Sequence, residues 1–111
     1  MMTLVVVSDD AHAHWVRDRV HVNPELRVIW HGADARAALP VAQVLLPDVV
    51  VLDLAVVDDA GALAFLRASA PGTCVVLYAP PGRDLPSAAG PLVRRARRGD
   101  AASLLRALRA A

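Results

Sequence analysis

At 111 residues, 56% apolar and 21% charged, the chain has material for one domain over residues 1–111 with a single buried core, and too much apolar side chain for disorder. A net charge of +1 gives no electrostatic case for nucleic acid, and no apolar run reaches the roughly 18 residues of a membrane span. A lone cysteine, Cys74, excludes an internal disulfide. Together with a start, Met1-Met2-Thr3, that lacks a basic signal region, it points to a cytoplasmic protein. All twelve basic residues are arginine, which removes any mechanism that needs a lysine ammonium.

Strand and helix signals alternate along the chain. Thr3–Ser8 reads as a strand and Ala11–Val22 as a helix with Trp15, Val16 and Val20 available for burial, until Asn23-Pro24 breaks it. Leu26–Trp30 is a short second strand. A helical stretch follows from about Asp34 to Leu46, where Pro40 predicts a late start, a kink or a lost turn because it has no amide proton. Val49–Leu52, β-branched almost throughout, reads as a third strand covered on both faces. Asp58 and Asp59 can cap the next helix, whose Ala62, Phe65, Leu66 and Ser69 keep helical spacing up to Pro71-Gly72. Thr73–Ala79 is a fourth strand, Pro91–Arg94 a short fifth, and Asp100 caps a last helix carrying Ala101, Leu104, Leu105 and Leu108 on one face. Alternation of this kind gives a parallel sheet with right-handed crossovers and helices on both faces. Ala79 to Gly90 is about a dozen residues, rich in proline and near the lower limit for a crossover, so a fourth helix there is reduced or missing.

Two strands run out into acid: Asp53 ends the third, and Ser8-Asp9-Asp10 follows the first. In open α/β sheets the carboxyl ends of the strands line the functional crevice, so three carboxylates at one edge suggest chemistry or metal binding. Asp9 and Asp10 also suit the cap of the first helix. His12 and His14 invite a metal reading with Asp10, but positions two apart do not share a helix face, and solvent-facing histidines are the better reading. His21 and His31 have no partner visible in sequence. The run Arg94-Arg95-Ala96-Arg97-Arg98 could contact nucleic-acid phosphates; without interleaved aromatics it reads better as a solvated loop with one arginine turned toward the carboxylates. Trp15 and Trp30 read as packing residues, and Arg98-Gly99-Asp100 as a helix start. No glycine-rich phosphate loop, nucleophile elbow or Cys/His ligand set is present, so the sequence does not read as an enzyme.

The motif Pro47-Asp48-Val49-Val50-Val51-Leu52-Asp53-Leu54, the interval from Asp9 to Asp53, Gly61 beyond the acceptor loop, and Leu92-Val93-Arg94 together resemble the receiver domain of bacterial response regulators, the CheY-like family. The resemblance covers nearly the whole chain. It implies a flavodoxin-like, doubly wound five-stranded sheet of order 2-1-3-4-5. It further implies a phosphorelay signalling role with Asp53 as phosphoacceptor, weakly bound Mg²⁺ held by Asp9, Asp10, Asp53 and the Ala55 carbonyl, and a sensor histidine kinase or other signalling protein as partner. Such a chain is expected to deliver its output through a partner or a further domain, with a homodimer as one option and nucleic acid not expected.

Four positions depart from that pattern. Ser8 stands where the first acid is expected, with Asp10 one step along, and Tyr78 where a threonine or serine switch residue is expected. Arg94 (or Arg95) stands where the lysine is expected, and Pro91 in the neighbourhood where an aromatic is expected near the start of strand five. Arginine is a good phosphate partner, but its rigid fork needs a different geometry. The resemblance therefore implies an atypical receiver with non-standard switching. The alternative is a phosphorylation-independent pseudo-receiver that keeps the scaffold for protein contact or dimerisation.

Overall fold

The computed structural model describes residues 1–68, 72–84 and 92–109; Ser69, Pro71, Gly90 and Pro91, which entered the sequence reading, lie outside them. The element order is β1 (Met2–Val7), α1 (Asp10–Val20), β2 (Leu26–Gly32), α2 (Ala35–Leu45), β3 (Val49–Asp53), α3 (Asp59–Ala68), β4 (Cys74–Ala79), β5 (Val93–Arg97) and α4 (Ala101–Arg109). All strand pairs are parallel and the sheet order is β2-β1-β3-β4-β5, the doubly wound arrangement expected. Among the described residues no helix stands between β4 and β5. No helix of the described residues is long and apolar enough to cross a membrane.

The β-branched runs form the middle of the sheet because both faces are covered. Leu4, Val6, Val49, Val51 and Val76 pack with Val16, Val20, Leu104 and Leu108 of α1 and α4. Val5, Val7, Val50, Leu52 and Leu77 pack on the other face with Ala38, Ala62 and Phe65 of α2 and α3. Cys74 is a buried space-filler at the start of β4, and its thiol pKa is raised by that burial. Trp15 and Trp30 are half-buried against the two cores, as packing residues should be.

Helix starts follow the aspartates. Asp9, Asp34, Asp58 and Asp100 each accept a backbone amide of the first helical turn, at 2.8, 2.8, 2.7 and 3.0 Å. Of the Pro40 expectations, the late start and the lost turn are corrected: α2 runs from Ala35 to Leu45 with Pro40 inside it. Pro40 faces solvent, so water can serve the carbonyl that loses its donor. Leu46 ends the helix in the left-handed region (φ 48°) and leaves Val44, Leu45 and Leu46 exposed. The fifth strand is also corrected, starting two residues later and ending three later than the sequence reading. Val93–Arg97 pairs with β4 from Val75↔Val93 to Ala79↔Arg97.

Candidate functional site

Register builds the site. Val7 pairs with Leu52, so Ser8 comes level with Asp53; Asp53 pairs with Tyr78, and Tyr78 with Ala96. Alternation sends this row toward the α1/α4 side, the face of Val6, Val51 and Val76. Ala96 is small, which leaves room beside it for the Tyr78 ring.

Asp53 is 0% exposed, and every direction around its carboxylate is used. Oδ1 accepts the Ala55 amide at 2.9 Å and Oδ2 the Ser8 hydroxyl at 2.6 Å. Nε of Arg98 donates to both oxygens at 3.0 Å, and Nη2 of the same guanidinium donates to Asp9 Oδ2 at 2.8 Å. Arg98 thus bridges the two acids that strand ends β1 and β3 deliver. Burial works against its charge, but the hydrogen bond and charge of Asp53, followed by the charge of Asp9, outweigh it and hold the pKa above the ordinary arginine value.

The chain places Arg98 there by a tight turn. Its amide donates to Ala79 O at 2.7 Å, closing the end of the β4–β5 ladder. Gly99 adopts φ +81°, a conformation that costs a residue with a Cβ, and so directs its amide onto the Tyr78 hydroxyl at 2.7 Å. Asp100 then caps α4, so Arg98-Gly99-Asp100 is a helix start.

The basic partner of Asp53 is therefore Arg98, and Arg94 and Arg95 are corrected. Arg94 pairs with Val76, two positions before the level of Asp53, and its charge acts on Cys74 at the opposite end of β4. Arg95 is exposed and pairs with Leu77, on the alternate face. One arginine of the cluster does turn to the carboxylates, but the late strand makes it the last one.

Tyr78 is fully buried in the α1/α4 core, with its hydroxyl reaching the edge of the site. His12 corrects the solvent-facing reading: Nε2 lies 2.6 Å from the Tyr78 hydroxyl, and the ring stacks on Trp15 with centroids 5.1 Å apart. Burial, then the nearby Arg98, lowers the His12 pKa, while burial raises that of Tyr78 against the opposing Gly99 amide. Both groups are therefore neutral at pH 7. Since the phenol oxygen already accepts from Gly99, its proton goes to His12 Nε2. Sequence gave no signal for this contact beyond the aromatic at position 78.

Asp10 leaves the group expected for it. Among the described residues the one set of three potential metal ligands is Asp10, His14 and His31, whose ligand atoms lie within 4.8 Å of one another. A cleft of about 500 Å³ opens between the starts of α2 and α3 along Asp34, Arg36, Val57 and Gly61; Asp53 does not line it.

Solved structures of receiver domains share this fold. The signal receiver domain of the response regulator NarL from Mycobacterium tuberculosis superposes with a TM-score of 0.74 at 22% identity, over 96% of this chain and 92% of that one. The chain has the receiver-domain fold. The response regulator domain of Thermotoga maritima CheB aligns with a TM-score of 0.62 at 24% identity, over 78% of this chain and 66% of that one. No protein-family model matches the sequence, and no curated protein does.

The receiver fold implies Mg²⁺ beside the acceptor aspartate, and the residues here do not fit it. Magnesium demands near-octahedral oxygen ligands. Ser8 is neutral and donates to Asp53, Asp10 lies with His14 and His31, and the space between Asp9 and Asp53 holds a guanidinium. Among the described residues no buried side-chain nitrogen or oxygen lacks a hydrogen-bond partner, so no orphaned acceptor asks for a cation.

Proposed function

We propose that the chain is a response-regulator-type signalling module that works without phosphorylation, with Arg98 serving as the permanent cation of its carboxylate site. The observation that carries this reading is the Arg98–Asp53–Asp9 bridge around a fully buried acceptor position. A phosphodonor would have to displace the guanidinium, which unpairs the Arg98, Asp53 and Asp9 charges, and also expose Asp53 and break its Ser8 bond. The wedged Tyr78 supports the same reading, because it fills the place from which a small hydroxyl residue would move. Partners are then other signalling proteins that recognise the fixed scaffold surface.

Intact-mass measurement after incubation with a small acyl phosphate and Mg²⁺ tests this. The parent chain is expected to stay unmodified while it keeps its fold. A phosphoryl adduct on the parent that is lost in Asp53→Ala would overturn it. The second reading, a phosphorelay receiver with Asp53 as acceptor and a sensor histidine kinase as donor, draws support from the position of Asp53 at the end of β3. There Arg98 is already placed to neutralise incoming phosphate. That adduct would favour it.

A further inference from the structure

We propose that Asp10, His14 and His31 form a transition-metal site, with Zn²⁺ as the fitting ion, separate from the Asp53 site. Asp10 opens α1 and His14 follows one turn later on the same helix face. His31 arrives from β2, whose register with β1 shifts between Leu4 and Val5: Leu4 pairs with Val28 but Val5 with Trp30. The extra residue, Ile29, reverses the alternation. Leu26 and Val28 belong to the α1/α4 core, while Trp30 packs on the α2/α3 face, so the next residue, His31, is sent to the α1 side. Without the bulge, His31 would face away from His14.

The chemistry of the set selects the ion. Two imidazoles and one carboxylate suit Zn²⁺ and its neighbours, and do not suit Mg²⁺ or Ca²⁺. Nδ1 of His14 lies 2.9 Å from the Asp10 carbonyl oxygen. A carbonyl can only accept, so Nδ1 carries the proton and the neutral ring keeps a lone pair on Nε2. A backbone carbonyl holding the other ring nitrogen is the usual support of a metal-bound histidine. The His14 and His31 rings meet edge to face with centroids 5.3 Å apart. Two ligands at about 2.0–2.1 Å from a tetrahedral ion stand about 3.3–3.4 Å apart, so the 4.8 Å spread must close by up to about 1.4 Å. The side chains of His14 and Asp10 are 56% and 86% exposed and can rotate to do so. Water completes the coordination.

Titration of the parent chain with Co²⁺, followed by visible absorption, and competition of Zn²⁺ against a chelating dye test the site. One equivalent of metal is expected to bind. His14→Ala and His31→Gln should each weaken Zn²⁺ at least about tenfold, since removing a ligand costs no less than losing its outer-shell support. His21→Ala, which touches none of the three ligands, should bind as the parent does. Circular dichroism shows whether each variant is folded; His14 is exposed and alanine favours its helix, so that variant remains informative if His31→Gln is not. No binding by the parent, or equal binding by the parent and a folded His14→Ala, would overturn the site.

Discussion

The Tyr78 hydroxyl and His12 Nε2 stand 2.6 Å apart, joining the carboxyl end of β4 to the first turn of α1. The same oxygen accepts the Gly99 amide, so one phenol ties three segments at the carboxyl edge of the sheet. A switch residue that has to move could not carry these bonds. Tyr78→Phe removes both while keeping the ring, and is expected to cost about 1 kcal/mol, because Gly99 and His12 can turn to water. Tyr78→Thr, which restores the small hydroxyl of ordinary receivers, empties the buried ring volume and should cost about 3 kcal/mol or more. Urea unfolding of the two variants measures the difference; equal costs would mean that the ring does not pack as described.

The same contact makes stability depend on pH. His12 has its pKa lowered in the folded chain, so the unfolded chain binds a proton more readily. That difference adds stability above the unfolded value near 6.5 and withdraws it as pH falls from there through the folded pKa. The melting temperature is therefore expected to drop as pH falls from about 7 to 5. His12→Gln should flatten the decline, since the glutamine carbonyl can still accept from Tyr78 but does not titrate. An unchanged slope would assign the decline to other groups.

Arg98 and Asp53 are unequal partners: Asp53 is wholly buried, while the arginine side chain is 27% exposed. Removing the cation strands the carboxylate. Arg98→Ala is expected to cost about 3 kcal/mol, the scale for breaking a buried pair from one side. Asp53→Asn should cost less, because the amide keeps one acceptor and no charge is left buried. In the double variant Asp53→Asn/Arg98→Ala, most of the Arg98→Ala penalty should disappear. Additive losses would show that the two side chains do not interact.

How much of this was legible before folding depends on how local each signal is. The strands of the sheet interior, the caps at Asp9, Asp58 and Asp100 and the place of Asp53 followed from short-range pattern, and the sheet order from the resemblance. The exact arginine did not. Arg94-Arg95-Ala96-Arg97-Arg98 has one apolar residue, so alternation cannot set its register, and pairing with β4 decides that Ala96 lies beside Tyr78. The β2 bulge was hidden for a similar reason. Leu26, Val28 and Trp30 alternate cleanly in sequence, and only pairing with β1 shows the slip that turns His31 toward His14. His12 lay in a helix too mixed in character to reveal which residues meet the sheet. Pro40 misled because the strength of its penalty depends on exposure, which sequence does not give.

Magnesium separates the resident-cation reading from ordinary receiver chemistry. With Arg98 between Asp9 and Asp53, a divalent ion would add charge to a site whose acids are already paired. About 10 mM Mg²⁺ is therefore expected to leave the melting temperature of the parent chain unchanged, because an ion stabilises a fold only by binding it. Arg98→Ala reverses the situation, leaving two carboxylates without a cation. That variant should gain stability from Mg²⁺ that the parent does not, and the gain should vanish in Asp53→Asn/Arg98→Ala. The response should still be modest, since Ser8 supplies a hydroxyl where an acid would add charge. Ser8→Asp in the Arg98→Ala background should strengthen it, because each added carboxylate favours the dication. A parent chain that Mg²⁺ stabilises more than it stabilises Arg98→Ala would show that the ion and the guanidinium bind together, and that Arg98 does not stand in for the metal.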